Sequence, residues 1–142
     1  MTPDNVDAEQ VGKRLRTMRE TLDQLEALRA TDAHQLEAEP LTRAAAERLL
    51  QVVIDSAVDI NGHLAVARLG KAPPTARASF AAAAEADVID ADLAERLAPA
   101  AGLRNLLVHR YGDIRLDLVA AAIPEVLDGF AIYVEQVANS LP

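Results

Sequence analysis

Between Pro40 and Gly70 the chain carries one long helical pattern whose middle, Leu49, Leu50, Val52, Val53, Ile54, Ala57, Val58 and Ile60, is apolar around most of its circumference. A helix of that kind cannot rest on a surface with one side wet. It needs neighbours on several sides, which predicts a helical bundle with this element at its centre. Pro40 suits a first helical position, where a missing N–H costs nothing, and Gly70 suits the stop. The flanking segments supply neighbours. Val11, Leu15, Met18, Leu22 and Leu25 recur at spacings of four and three, predicting an amphipathic helix from about Asp7 to Leu28. Leu116, Val119, Ile123, Val126, Leu127, Phe130, Tyr133, Val134 and Val137 predict a last helix from about Asp117 to Asn139. Within it Pro124 removes a backbone donor and crowds the preceding turn, so a kink or a restart is expected there.

The middle of the chain is built from shorter pieces. Thr31 to Glu39 is polar and leads into Pro40. Lys71-Ala72-Pro73-Pro74 breaks the chain, Thr75 can cap a short Ala-rich helix to about Ala86, and Asp90 can cap the next, through Leu93 and Leu97. Pro99 and Gly102 bend the route into Leu103–Val108, and Gly112 follows where a helix end is plausible. There is no alternating strand pattern, internal repeat or flexible linker. The expected fold is all-α: an antiparallel up-and-down bundle of four main helices plus a short one, in a single domain spanning residues 1–142. Composition agrees, because 51% of residues are hydrophobic but only 3% aromatic, so the apolar surface comes from aliphatic and small side chains on closely packed helices.

Several function classes are disfavoured. No apolar stretch free of charge reaches the roughly 18 residues of a membrane span, and Met1-Thr2-Pro3-Asp4-Asn5 is polar rather than signal-like, so a cytoplasmic protein without a membrane partner is expected. The absence of Cys removes disulfides and thiolate–metal sites, and His34, His63 and His109 are scattered, so neither a metal nor a cofactor is expected. A net charge of −8 opposes loose binding to nucleic acid, which depends on Lys and Arg displacing phosphate counterions. Any contact with RNA must be local. Lys13, Arg14, Arg16 and Arg19 lie mainly off the first apolar stripe and read as a solvated basic face. Asp55, Asp59 and His63, spaced by four, share one helix face. The spacing suits a metal or proton-relay row, but with no second such row a polar seam or an interface edge is the better reading.

Polar chemistry is concentrated in Arg104-Asn105-Leu106-Leu107-Val108-His109-Arg110-Tyr111. From Leu103 to Arg115, Arg104, Arg110 and Arg115 stand against Asp113 alone, a positive patch on an acidic chain. On an ideal helix Arg104 and Tyr111 share nearly one face, as do Asn105 and His109, whereas Arg104 and His109 are about 140° apart. The last two meet only if the helix ends early, the long Arg side chain reaches round, or two copies face each other. Chemistry alone leaves two readings open: a site, or a surface charge, a helix-end amide, an interface histidine and a packing tyrosine.

The run Arg104-Asn105, three residues, His109, one residue, Tyr111, at the end of a helix in a small α bundle, resembles the signature of HEPN domains of the HepT toxin type. Gly102-Leu103 fits the lead-in. Glu47-Arg48-Leu49-Leu50 through Asp55, Asp59-Ile60 and His63-Leu64 is similar to that family's long second helix, and Pro74 to Phe80 with Val88-Ile89-Asp90 resembles its middle. The likeness runs from about Val11 to Val137 and implies a HEPN-type bundle. It also implies a homodimeric, metal-independent ribonuclease toxin, silenced by a nucleotidyltransferase antitoxin of the MNT type that adenylylates the motif tyrosine. Carried onto this chain, Arg104 and His109 are catalytic, Asn105 orients His109, and Tyr111 is the modified residue. The chemistry is compatible. A His with a pKa near ~6.5 suits the proton transfers of RNA cleavage, and Arg104 offers a planar, permanent donor to a phosphate gaining charge. Acidic charge and sparse aromatics favour a competing reading, a non-catalytic subunit that binds a nucleotide or docks a nucleotidyltransferase. A plain helical interaction module is the third.

Overall fold

In the computed structural model, which describes residues 7–108 and 115–142, seven helices follow one another. They are α1 (Ala8–Glu26), α2 (Ala33–Ala38), α3 (Pro40–Leu69), α4 (Ala76–Glu85), α5 (Ala91–Leu97), α6 (Ala100–Val108) and α7 (Leu116–Ser140). No strand occurs among the described residues. The all-helical class is the expected one, but the count is larger: three long helices and four short ones replace four main helices and a short one. One addition is α2, which a capping box nucleates just ahead of Pro40. Asp32 Oδ1 accepts from the Gln35 amide at 2.8 Å, and Gln35 Oε1 accepts from the Asp32 amide at 3.2 Å. The other is the split at Ala98-Pro99, where the Gly102 amide donates to the Pro99 carbonyl at 3.0 Å and starts α6 as a separate helix.

Most local signals act as their chemistry predicts. Asp7, Thr75 and Asp90 cap α1, α4 and α5 by accepting from the amides of Gln10, Ala78 and Leu93 at 3.0, 3.0 and 2.7 Å. Pro40 occupies the start of α3, and Gly70, at φ 76°, ends it in the left-handed conformation that carries no Cβ penalty there. Pro124 neither ends nor restarts a helix; α7 runs through it, and the Ala120 carbonyl simply loses its usual donor.

Side-chain contacts fix the directions. Asp7 and Arg14, early in α1, meet His63 and Asp59, late in α3, so these helices are antiparallel. Arg104 meets Asp55 while Leu107 lies beside Glu47 and Gln51, so α6 runs back against α3. Tyr133 meets Asn61 and Ser140 meets Arg68, so α7 runs with α3. Legs α1, α3, α6 and α7 therefore alternate, which is the expected up-and-down order.

One cluster of buried side chains draws from all seven helices. Every residue of the predicted α1 stripe is in it, from Val11 to Leu25. By length and composition α3 is apolar enough to cross a membrane, but here it packs against α1, α2, α4, α6 and α7 and carries Asp55 and Asp59 in ion pairs. Around its second half, Phe80, Phe130 and Tyr133 pack with ring centroids 5.6–6.5 Å apart in tilted and edge-to-face geometries. The fully buried Tyr133 hydroxyl donates to Asn61 Oδ1 at 2.6 Å, the Asn61 amide donates to Ser79 Oγ at 3.2 Å, and the Ser79 hydroxyl donates to the Ala76 carbonyl at 2.6 Å. This chain of hydrogen bonds ties α7, α3 and α4 together through the core.

Candidate active site

The nine residues of α6 position the first half of the predicted constellation. Leu107 is buried and Leu103 and Leu106 are half-buried against the core, which turns Arg104 toward α3 and leaves Asn105 facing solvent. The Arg104 guanidinium donates through Nε to Asp55 Oδ1, a contact that bridges α6 to the middle of α3. Both side chains keep about a third of their surface exposed, at 34% and 35%, so the ion pair borders solvent. Using Nε leaves the terminal guanidinium nitrogens as donors in a fixed orientation. Asn105 makes no side-chain hydrogen bond to a described residue. His109 and Tyr111, with Arg110 and Asp113, lie outside the described residues.

Asp55, Asp59 and His63 turn out to be a seam. Asp55 takes Arg104, and Asp59 Oδ2 accepts from Arg14 at 3.1 Å. His63 Nε2 accepts from the Asp7 amide at 3.1 Å, which requires that nitrogen to be unprotonated. Each member of the row thus joins α3 to a different partner on α6 or α1. No group of three His, Asp or Glu among the described residues is arranged to hold a metal ion. The sequence singles out Asp55 for its spacing to Asp59 and His63. Its link to Arg104, 49 residues away, has no local signal.

The two described cations of the positive patch are both paired. Arg115, which precedes α7, forms a two-pronged pair with Asp117, Nε to Oδ1 at 3.0 Å and a terminal nitrogen to Oδ2 at 2.7 Å. Those bonds raise the Arg115 pKa and hold the Asp117 carboxyl below its ordinary value. Arg104 and Arg115 are each matched by a carboxylate outside the Leu103–Arg115 window. What these two guanidinium groups offer an anion is therefore orientation rather than excess charge.

The chain has relatives among known proteins. The curated relatives include a tRNA nuclease HepT from Aphanizomenon flos-aquae, 38% identical over 96 residues that make up 67% of this chain and 65% of that protein. An mRNA nuclease HepT from Shewanella oneidensis is 29% identical over 86 residues, 61% of this chain and 65% of that protein. The chain thus spans a little under two thirds of the length of these two relatives. The fold matches that of a tri-AMPylated Shewanella oneidensis HEPN toxin solved in complex with an MNT antitoxin. The TM-score is 0.80 at 21% identity, covering 95% of this chain and 99% of that one. A toxin–antitoxin structure with AMP-PNP aligns equally well, with a TM-score of 0.80 over 92% of this chain and 98% of that one, at 21% identity. Residues 18–137 match the family described as ribonuclease HepT-like, and the chain belongs to that family.

Proposed function

We propose that this chain is the toxin of a HEPN/MNT toxin–antitoxin pair: a cytoplasmic, single-domain, metal-independent ribonuclease that cleaves RNA in a composite site of a homodimer. The observation that carries the reading is the Arg104 guanidinium, held by Asp55 on the solvent border of α6, five residues ahead of His109 in a chain of the HepT-like family. Support comes from the curated relatives, named as tRNA and mRNA nucleases, and from the solved toxin–antitoxin complexes that share the fold.

In this reading the residues divide the chemistry. Cleavage without a metal requires activating the ribose 2′-hydroxyl, protonating the leaving oxygen and stabilising charge on the phosphate. An imidazole can both accept and donate a proton, which serves the proton transfers, and that role falls to His109. Arg104 serves the phosphate. Because Asp55 has already fixed its orientation, less side-chain entropy is lost on binding, and the terminal nitrogens strengthen their bonds as negative charge develops. Asn105, exposed on the same helix as Arg104, orients His109. Two-fold symmetry brings two Arg104–His109 pairs to one cleft, the simplest way past their angular separation on a single helix. Tyr111 is the control point. An MNT-type nucleotidyltransferase antitoxin adds adenylyl groups to it, placing negative charge where RNA phosphates must sit.

The test is RNA cleavage by the purified chain and by His109→Ala. Loss of cleavage with the helical fold retained supports the assignment, and cleavage that persists in the variant sinks it. Inactivity of the unaltered chain on RNA, together with tight co-purification of a nucleotidyltransferase, would favour the docking-subunit reading.

A further inference from the structure

Arg104 is not the only oriented guanidinium beside α6. Where the first turns of α3 pass Leu107, the next-to-last residue of α6, there is a cleft of about 300 Å³ lined by Arg43, Glu47, Arg48, Gln51 and Leu107. Glu47 is nearly buried, and its Oε1 accepts from Arg43 Nε at 3.3 Å. The arrangement repeats the logic of Asp55 and Arg104: a carboxylate holds Nε, and the terminal nitrogens remain as donors on a side chain that lines the cleft. Arg48 is exposed and has no ion-pair partner among the described residues. The i,i+4 pair with Glu47 accounts for Arg43 within α3, but no ion pair among the described residues accounts for the exposed Arg48. The first turn of α3, which borders the cleft at Pro40, holds no acidic residue, so an anion near that end meets no carboxylate there. Arg48 and Asp55 are seven residues apart on α3, about 10 Å along its axis, so the cleft and the Arg104 ion pair occupy successive positions along that helix.

We infer that the cleft between the Pro40 end of α3 and Leu107 is an RNA-phosphate subsite. In it Arg48 and the terminal nitrogens of Arg43 hold a backbone phosphate neighbouring the one that Arg104 engages. The inference rests on the ribonuclease reading and extends it to substrate positioning. The subsite lies on the side of α6 that leads into His109 in sequence, so a strand held at Arg104 continues toward it. It explains how a chain of net charge −8 holds RNA: by a short track of oriented guanidinium groups rather than a broad basic face.

The experiment measures binding of a fluorescein-labelled single-stranded oligoribonucleotide to the full chain carrying His109→Ala, across a salt series. Arg48→Gln and, as a control on α4, Arg77→Gln are added to that background, and cleavage by the same two variants with His109 intact is measured alongside. One lost phosphate contact makes the slope of log affinity against log salt shallower by about 0.7, a weakening of about fourfold near ~0.15 M salt. Arg48→Gln is expected to show both changes and to raise KM more than it lowers kcat, while Arg77→Gln shows neither. The deciding variant is at Arg48 because that side chain is exposed, whereas Arg43→Gln strips a partner from the nearly buried Glu47. His109-dependent cleavage with binding and slope unchanged in Arg48→Gln overturns the subsite alone. Binding that depends on Arg48 without cleavage of any RNA overturns the ribonuclease reading and leaves the subsite standing. Absence of RNA binding altogether overturns both. An Arg48→Gln effect confined to co-purification of a nucleotidyltransferase reassigns the cleft to protein docking and overturns the RNA subsite.

Discussion

Replacing Tyr133 with Phe removes one oxygen from the interior and nothing else. The ring keeps its packing against Phe80 and Phe130, so the apolar area it buries is unchanged. What is lost is the donor to Asn61 Oδ1 at 2.6 Å, shared with the Ala57 carbonyl at 3.2 Å, in a place where Asn61 has no access to water. An unsatisfied buried acceptor costs about 1–3 kcal/mol, and the residual space of one oxygen adds little, so Tyr133→Phe is expected to lose about 2 kcal/mol. For a chain of 142 residues that corresponds to a fall in Tm of roughly 6 °C. Urea unfolding followed by far-UV circular dichroism measures it, with an unchanged m-value showing that the same surface is exposed. Adding Asn61→Leu should recover part of the loss, since it removes the orphaned Oδ1, while Ser79 Oγ loses the Asn61 donor but still donates to the Ala76 carbonyl. A loss below about 0.5 kcal/mol in the single variant would refute the argument, because the acceptor would then have found another donor or would not need one.

Three further outcomes follow from the same contacts. Burial raises the pKa of Tyr133 well above 10, so the folded chain keeps a proton that the unfolded chain releases. Its contribution is complete below pH ~10 and is lost as pH rises above that value, at up to about 1.4 kcal/mol per pH unit, and Tyr133→Phe should flatten that alkaline limb of the stability profile. Asp55→Asn removes the charge that orients Arg104. At a solvent border the pair adds at most about 1 kcal/mol to stability, whereas kcat/KM for RNA should fall at least about tenfold. In an Arg104→Ala background the same change should have no further effect; equal losses in both backgrounds would exclude a positioning role. Arg68 donates to the carbonyls of Ala86 at 3.3 Å and Ser140 at 2.8 Å, joining the ends of α4 and α7, so Arg68→Ala should destabilise by about 2 kcal/mol and speed amide exchange at both helix ends. Protection left unchanged at Ala86 and Ser140 would contradict that assignment.

Much of this architecture is legible in the chain because helices are local objects. The hydrogen bonds of a helix span four residues, so the 3.6-residue apolar period of Val11 to Leu25, the caps Thr75 and Asp90, Pro40 at a start and Gly70 at a stop write the boundaries of α1, α3, α4 and α5 to within a residue or two. The capping box Asp32/Gln35 that starts α2 is equally local, but a six-residue helix has too short an apolar period to announce itself. The motif Arg104-Asn105 through His109 and Tyr111 is also a matter of sequence. Its partners are not. Arg104 finds Asp55 across 49 residues, Arg14 finds Asp59 across 45, and the Asp7 amide finds His63 across 56. The row on α3 spells out only that three polar groups share a face. Whether they gather round an ion or each reach for a different helix depends on which helices pack on that face and in which direction they run. That is decided by burying the apolar sides of all seven helices at once, and no single segment carries that information.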